Sequence, residues 1–238
     1  MKTVFISDAH LKRATDERYG QLVCFLKDIG EGNIRSLTDT NELGHEKTSI
    51  DDLYILGDFF DFWFCNAGRI HPEFQLVISK LVELQKTGIR IHLCEGNHDF
   101  FMKEYFRDKL GMEVFEEWAD IHLDGLRMLV AHGDTADRSD KIYLMFRKVL
   151  RSRIFYHVQR LMPDVIRWAV ASMTSNVSKE LNNDNRDILV EKRIAFATEK
   201  FREGYDVMIL GHCHKPFMKI YNVQGKEKTF VRSEEHTS

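Results

Sequence analysis

The chain lacks long apolar runs, and it is poor in cysteine and proline. No stretch approaches the roughly 20 apolar residues of a membrane span, and no basic and apolar leader opens the chain, so we expect neither a transmembrane helix nor a signal peptide. Four cysteines without a Cys-x-x-Cys pair favour structural thiols in a reducing compartment. Only three prolines, no internal repeat and no low-complexity tract argue against a disordered or repetitive chain. We therefore expect a cytoplasmic globular protein.

The chain as a whole also lacks a large excess of charge of either sign. The 238 residues carry a net charge of −3, with 43% hydrophobic and 30% charged residues, which fits a single globular domain over 1–238. This balance gives no support for nucleic acid as a macromolecular partner. The charge is uneven, however, since 141–170 contains seven Lys or Arg against one acid.

Five short apolar runs each end in a turn rich in metal-binding side chains. Runs of four or five apolar residues bounded by glycine predict buried strands. The ends of such strands are where α/β folds assemble their sites. In chain order the turns are Asp8-Ala9-His10, Gly57-Asp58, Gly96-Asn97-His98-Asp99, His132-Gly133-Asp134 and Gly211-His212-Cys213-His214.

Asp, Asn and His side chains together suit divalent ions of the manganese, iron or zinc type. Two such ions about 3.5–4 Å apart can stabilise the attacking and leaving oxygens of a phosphoryl displacement. The pattern therefore predicts two divalent metal ions, with Mn²⁺ as the first choice. The predicted ligands are Asp8, His10, Asp58, Asn97, His132, His212 and His214.

The rest of the chain alternates helical and strand patterns. Helical spacing predicts helices over 19–29, 72–86, 99–110 and 188–203, and a long helical insert over about 140–182 that is broken at Pro163. A surface insertion is expected over 31–50. Hairpins are expected over 114–131, turned at Asp124-Gly125, and over 217–231, turned at Gly225. The final heptapeptide, 232–238, corresponds to one frame of a common sequencing adapter. We therefore expect it to be non-native and poorly packed, with a truncated native C-terminus.

The order Asp-x-His, Gly-Asp, Gly-Asn-His-Asp, His-Gly-Asp and Gly-His-x-His resembles the calcineurin-like metallophosphoesterases over nearly the whole chain. The resemblance implies an α/β fold of two facing β-sheets flanked by helices, here with the helical insert as a cap. It implies one metal bound by Asp8, His10, Asp58 and His214. The second metal would be bound by Asp58, Asn97, His132 and His212, so that Asp58 bridges. His98 would act as general acid or stabilise a phosphate oxygen, and Asp99 would orient it.

A narrower resemblance points to the UDP-2,3-diacylglucosamine diphosphatase subgroup of lipid A biosynthesis. It rests on Gly-Asp-Phe-Phe-Asp-Phe-Trp (57–63), Gly-Asn-His-Asp-Phe (96–100) and the residues that follow His132-Gly-Asp. It implies a lipid-linked UDP-sugar substrate, hydrolysed to UMP and 2,3-diacylglucosamine 1-phosphate. The implied substrate-binding residues are Asp140, Tyr143, Ser178 and Asn182. At His98 the best-characterised branch carries arginine instead.

The insert itself suggests contact with lipid. Four residues, Ile142, Phe146, Val149 and Val158, would suffice for a core-facing stripe, and further apolar residues remain for acyl chains. The basic residues are expected to face outward towards anionic headgroups. The protein would then be peripheral on the cytoplasmic face of the inner membrane. The alternative is a cap whose basic face is merely solvated.

Three other functions remain open. A soluble phosphodiesterase or phosphatase acting on a nucleotide or phosphoprotein would share all the metal motifs. A nuclease is less favoured, because the surface outside the insert is acidic. A non-enzymatic scaffold would be expected to have degenerate ligands, whereas all seven are present here.

Overall fold

The protein is described by a computed structural model that covers residues 1–34, 48–63, 70–161, 186–212 and 217–232. For 186–189 it describes the backbone only. Two predicted substrate residues, Ser178 and Asn182, one predicted ligand, His214, and the terminal segment 233–238 lie outside these ranges.

The first sheet is fully parallel and has four strands in the order β1-β2-β3-β4. They are β1 Thr3–Ile6, β2 Asp52–Leu56, β3 Arg90–Cys94 and β4 Glu113–Phe115. Because parallel strands end at the same edge, the turns after β1, β2 and β3 are brought together there. These are the turns that contain Asp8, Asp58 and Asn97.

The second sheet is mixed and has five strands in the order β5-β6-β7-β9-β8. They are β5 Trp118–Leu123, β6 Leu126–Ala131, β7 Val207–Leu210, β8 Phe217–Val223 and β9 Lys226–Arg232. Strands β6 and β7 run parallel, with Ala131 opposite Leu210. The turns that carry His132 and His212 therefore leave this sheet side by side.

Helices cover the outer face of each sheet. Beside the first sheet lie α1 (Glu17–Glu31), α2 (Gln75–Lys86) and a π-helical turn, Lys103–Arg107. Beside the second sheet lies α5 (Arg186–Arg202), which contributes Phe196 and Phe201 to the core. The order of layers is helix, sheet, sheet, helix, which confirms the predicted fold class.

Alternating side chains join these layers. On β2, Leu53 and Ile55 pack towards α1 and α2, whereas Tyr54 and Leu56 pack between the sheets. Strand β6 likewise directs Val130 between the sheets and Leu129 towards α5. Successive strand residues point to opposite faces, so each of these strands must be apolar on both sides. This explains why the strands read as continuous apolar runs.

The described part of the insert consists of α3 (Lys141–Leu150) and α4 (Arg153–Leu161). The two helices are separated at Arg151-Ser152, a break that the sequence did not predict, and the predicted break at Pro163 lies outside the described residues. Ile142, Phe146 and Val149 are 79%, 54% and 57% exposed, and Val158 is also exposed. The predicted core-facing stripe therefore points away from the body of the protein.

Three further details differ from the predictions. Val114 belongs to β4 of the first sheet, and the hairpin turned at Asp124-Gly125 is formed by β5 and β6. The helix predicted over 99–110 is only the π-helical turn. Arg232 is buried at the end of β9, with its guanidinium 4.7 Å from the ring centroid of Phe217, so poor packing was wrongly predicted for that residue.

Candidate metal centre

Backbone hydrogen bonds join the turns that follow the strands. Asp8 N donates to the Gly57 carbonyl at 3.1 Å, and His10 N donates to the Asp58 carbonyl at 2.9 Å. His212 N donates to both carboxylate oxygens of Asp8, at 2.9 and 3.0 Å. The loops after β1 and β2 are thereby fixed to each other and to the loop after β7.

Two glycines allow these loops to approach closely. A Cβ on Gly57 would lie 2.8 Å from the His132 side chain and 2.9 Å from the Gly96 Cα. A Cβ on Gly96 would lie 2.2 Å from Asp58 Oδ1 and 2.5 Å from its backbone nitrogen. Since real atoms do not approach so closely, any other residue at either position would displace the candidate ligands His132 and Asp58.

Several candidate ligands have left-handed backbone conformations. Of the six described ligand residues, four have positive φ: Asp8 (54°), His10 (44°), Asp58 (49°) and His212 (66°). Such angles are uncommon for residues other than glycine and cluster at functional sites. The hydrogen bonds between the loops hold these conformations.

Asp58 lies at the centre of the site and is 1% exposed. Its Oδ2 is 3.4 Å from His132 Nε2, 3.8 Å from His10 Nε2 and 3.9 Å from His98 Nε2. Its Oδ1 accepts a hydrogen bond from His98 N at 2.9 Å. One carboxylate oxygen therefore faces three imidazoles, and Asp58 is positioned to be shared by the candidate ligands on its two sides.

His132 and His212 form one side of the site. His132 Nδ1 lies 3.0 Å from the Leu56 carbonyl, so the hydrogen there fixes Nδ1 as a donor. Nε2 is 3.0 Å from both Asn97 Oδ1 and His212 Nδ1. Ligand atoms of Asp58, His132 and His212 all lie within 4.8 Å of one another, a spacing that could hold one cation.

Asp8 and His10 form the other side. Their ligand atoms and that of Asp58 also lie within 4.8 Å of one another. Asp61, which the sequence analysis did not select, lies behind His10, with its Oδ1 3.7 Å from His10 Nδ1. A carboxylate behind a metal-binding imidazole typically orients the ring and increases its basicity. The second aspartate of Gly-Asp-Phe-Phe-Asp was the available sequence signal.

The structure corrects the predicted role of Asp99. Its carboxylate accepts backbone N–H hydrogen bonds from Asp58, Phe59, Phe60 and Gly96, and so it joins the loops after β2 and β3. The ring of His98 is oriented instead by the carbonyl of Asp61, 2.9 Å from His98 Nδ1. His98 Nε2 therefore faces the centre, as its predicted catalytic role requires.

The charges in the centre favour a cation. Burial alone would lower the pKa of His132, but the negative charge of Asp58 outweighs burial and raises the pKa to about 10. Burial and the nearby charge of His132 lower the pKa of His212 well below its usual value. The carboxylate of Asp58 therefore favours positive charge at His132 Nε2, whether a proton or a cation supplies it. A metal ligand must be unprotonated, so a bound divalent ion would replace this proton.

The donor set fits two metal ions. Imidazole nitrogens, carboxylates and one amide oxygen converge in two overlapping groups that share Asp58, and each group includes a nitrogen and an oxygen donor. These are the ligand types of manganese, iron and zinc sites. Every described residue of the predicted ligand set lies in this pocket: Asp8, His10, Asp58, Asn97, His132 and His212.

The two described substrate candidates have structural partners. Asp140 is the N-cap of α3, and its side chain accepts the Tyr143 N–H at 2.9 Å. Tyr143 donates its hydroxyl to Asp134 Oδ2 at 2.7 Å. Their positions beside the loop after β6 agree with a place at the entrance of the insert, and substrate contact by either residue stays a prediction.

A family model described as calcineurin-like phosphoesterase matches residues 1–216. The chain belongs to this family of metal-dependent hydrolases, and its fold and its six convergent candidate ligands agree with that membership.

Several curated relatives share one named activity. The UDP-2,3-diacylglucosamine hydrolase of Proteus mirabilis is 26% identical over 227 residues, covering 95% of this chain and 87% of that protein. The enzymes of the same name from Vibrio atlanticus and Photorhabdus laumondii are 27% and 28% identical over 233 residues. They cover 97% and 98% of this chain, and 88% and 89% of those proteins.

Among solved structures, Vps29 of Entamoeba histolytica complexed with zinc has a TM-score of 0.39 at 14% identity, covering 98% of this chain and 74% of that chain.

Proposed function

We propose that this protein is a dimetal hydrolase that cleaves the pyrophosphate bond of a UDP-2,3-diacylglucosamine. The main structural support for this proposal is the position of Asp58, because one of its oxygens faces His10, His98 and His132. The relatives of that activity match almost the whole chain, which supports the substrate.

The two overlapping groups of donors support one set of ligands for each metal ion. One ion, for which we propose Mn²⁺, would be bound by Asp8, His10 and Asp58, with His214 as the remaining ligand. The other would be bound by Asn97, His132 and His212 together with Asp58. Bound divalent ions would lower the pKa of a water molecule and neutralise charge on the phosphoryl oxygens.

The protein residues would orient the reaction. Water would form a bond to the α-phosphorus, and the bond from that phosphorus to the bridging oxygen would break. The products would be UMP and 2,3-diacylglucosamine 1-phosphate, which retains the bridging oxygen. His98 Nε2 faces the centre, where it can stabilise a phosphoryl oxygen or deliver a proton.

A soluble phosphodiesterase is the second candidate. Two observations favour it: Asp140 and Tyr143 are engaged in contacts within the protein, and Phe59, Phe60 and Trp63 are core residues. The shared aromatic motif therefore supports the fold more directly than it supports the substrate. The metal centre would serve either activity equally well.

One assay separates the two candidates. With Mn²⁺ present, purified protein is expected to hydrolyse UDP-2,3-diacylglucosamine with a kcat/KM far above that for bis-p-nitrophenyl phosphate, and UMP should appear in equal amount with the sugar 1-phosphate. Chelation with EDTA should abolish both reactions, and Mn²⁺ should restore them. Cleavage of the small diester alone would favour the soluble phosphodiesterase.

We also infer a peripheral membrane association on the cytoplasmic face. Within the described residues, no helix is both long and apolar enough to span a membrane. The outward faces of α3 and α4 instead expose seven apolar side chains: Ile142, Met145, Phe146, Val149, Ile154, Val158 and Leu161. Exposed lysines at 141 and 148 flank this surface. Apolar residues beside bases are typical of helices that lie at an anionic lipid surface.

The structure changes which bases should be tested. Arg147 and Arg151 were predicted to face outward, but their side chains are only 12% and 14% exposed and are paired with acids of the protein body. The variant Lys141→Gln/Lys148→Gln should bind anionic vesicles more weakly than wild type in low salt, with no difference in high salt. Turnover of bis-p-nitrophenyl phosphate serves as the control and should not change. If the double variant bound vesicles as well as wild type at low salt, the basic face of α3 would be solvated only and would not contribute to membrane binding.

A further inference from the structure

The insert contacts the metal-binding loops through one polar face of α3. Tyr143, Arg147 and Arg151 recur every four residues, so they share a face of the helix and its C-terminal end. Tyr143 and Arg147 bond to Asp134, and Arg151 bonds to Glu95 and Gly96. Both acids adjoin predicted ligands: Asp134 follows His132 by two residues, and Glu95 precedes Asn97 by two. A single helix thus reaches the loops after β3 and β6.

Arg151 makes the most extensive of these contacts. Its Nη1 donates to Glu95 Oε2 at 2.6 Å and to the Glu116 carbonyl at 3.1 Å, and its Nη2 donates to the Gly96 carbonyl at 2.7 Å. The guanidinium also lies 5.3 Å from the ring centroid of Phe100. Its partner Glu95 has a side chain only 3% exposed. A planar guanidinium with several fixed donors is suited to hold such a group in one orientation.

Glu95 fixes both ends of the loop that contains Asn97 and His98. Its Oε1 accepts the Met102 N–H at 2.8 Å, while Oε2 accepts from Arg151. Gly96, which precedes Asn97, is held through both of its backbone groups, since its N–H donates to Asp99 and its carbonyl accepts from Arg151. Loss of Arg151 would leave a buried carboxylate without its counter-charge and a carbonyl without its donor.

We propose that Arg151 is a positioning residue, which sets the Asn97–His98 loop through Glu95 and the Gly96 carbonyl and so couples the insert to the metal centre. The proposal rests on the proposed function only in requiring a metal-dependent phosphoesterase site. It does not depend on a lipid substrate. Partners of metal ligands usually affect metal affinity or activity by about 10–100-fold.

Arg151→Met tests this role, because it retains the aliphatic stem and removes the donors. The dissociation constant for Mn²⁺ measured by calorimetry should rise, and kcat for bis-p-nitrophenyl phosphate should fall, each about 10–100-fold. KM should change little. In metal-free protein, amide hydrogen exchange over 96–100 should accelerate. Arg151→Lys should give intermediate values, since it keeps the charge without the planar set of donors. The matched control Arg153→Met, at an exposed position two residues later, should resemble wild type.

Glu95→Gln provides a second variant that preserves shape and removes the charge of the partner. It should change Mn²⁺ affinity in the same direction, and the double variant should be less impaired than the sum of the two single effects. The effect of Glu95→Gln alone on Mn²⁺ affinity can be measured even if Arg151→Met folds poorly. Wild-type Mn²⁺ affinity, kcat and exchange in Arg151→Met, or strict additivity of the two changes, would overturn the proposal.

A wild-type protein without metal-dependent hydrolysis would instead refute the proposed function, while metal affinity and exchange would still report on positioning.

Discussion

Asp58→Ala is expected to abolish hydrolysis of every phosphoester substrate and to weaken the binding of both metal ions. Asp58 Oδ2 lies between His10, His98 and His132, and Asp58 belongs to both groups of candidate ligands. Removing it would take a ligand from each ion at once. It would also remove the acceptor of the His98 N–H, so the loop after β3 would lose a support. Initial rates at saturating Mn²⁺ and metal content by mass spectrometry measure the two effects.

Asp28→Ala is the matched control for this variant. Asp28 is an exposed carboxylate on α1, away from the metal-binding turns, and its loss should change neither rate nor metal content. Asp58→Asn keeps the shape of the side chain and should also be inactive if the charge is what holds the metals. An Asp58→Ala protein with the wild-type complement of metal would contradict the bridging role.

His98→Ala is expected to lower kcat by roughly 10²–10⁴-fold, the usual contribution of a general acid, while leaving metal content unchanged. The reason is its geometry: Nδ1 is 2.9 Å from the Asp61 carbonyl, and Nε2 faces the centre at 3.9 Å from Asp58 Oδ2. Rates should be measured over a range of pH, because loss of a general acid removes its limb from the pH profile.

Metal content decides between two roles for His98. His98, His10 and Asp61 have ligand atoms within 4.8 Å of one another, so this trio could itself hold an ion. A His98→Ala protein that loses as much metal as Asp58→Ala would make His98 a ligand rather than a catalytic residue. His122→Ala, at an exposed position on β5, is the control and should retain wild-type rate and metal content.

The motif strands, and with them the candidate ligands at their ends, were predictable because they depend on local patterns. An apolar run with a polar turn marks a buried strand whether it lies in one sheet or the other, and so all five motif strands were located correctly. The local sequence gave less indication of which strands belong to which of the two sheets. Only Glu116 and Glu117 separate β4 from β5, and this short connection resembles a bend within a hairpin although the chain crosses between sheets.

Errors arose where a partner is distant in sequence. Asp99 adjoins His98, yet its carboxylate accepts hydrogen bonds from backbone groups 39–41 residues away. Arg151 was read as a membrane-facing base, and its partner Glu95 lies 56 residues earlier. The recurrence of Tyr143, Arg147 and Arg151 shows that they share a face. It does not show whether that face meets solvent or buried acids, which only tertiary packing decides.

The most direct test of the dimetal centre is an anomalous difference map from crystals grown with Mn²⁺. The arrangement of donors predicts two peaks about 3.5–4 Å apart, with the carboxylate of Asp58 between them. Asp8 and His10 should lie beside one peak, and Asn97, His132 and His212 beside the other. A single peak, or a pair that does not share Asp58, would contradict the account.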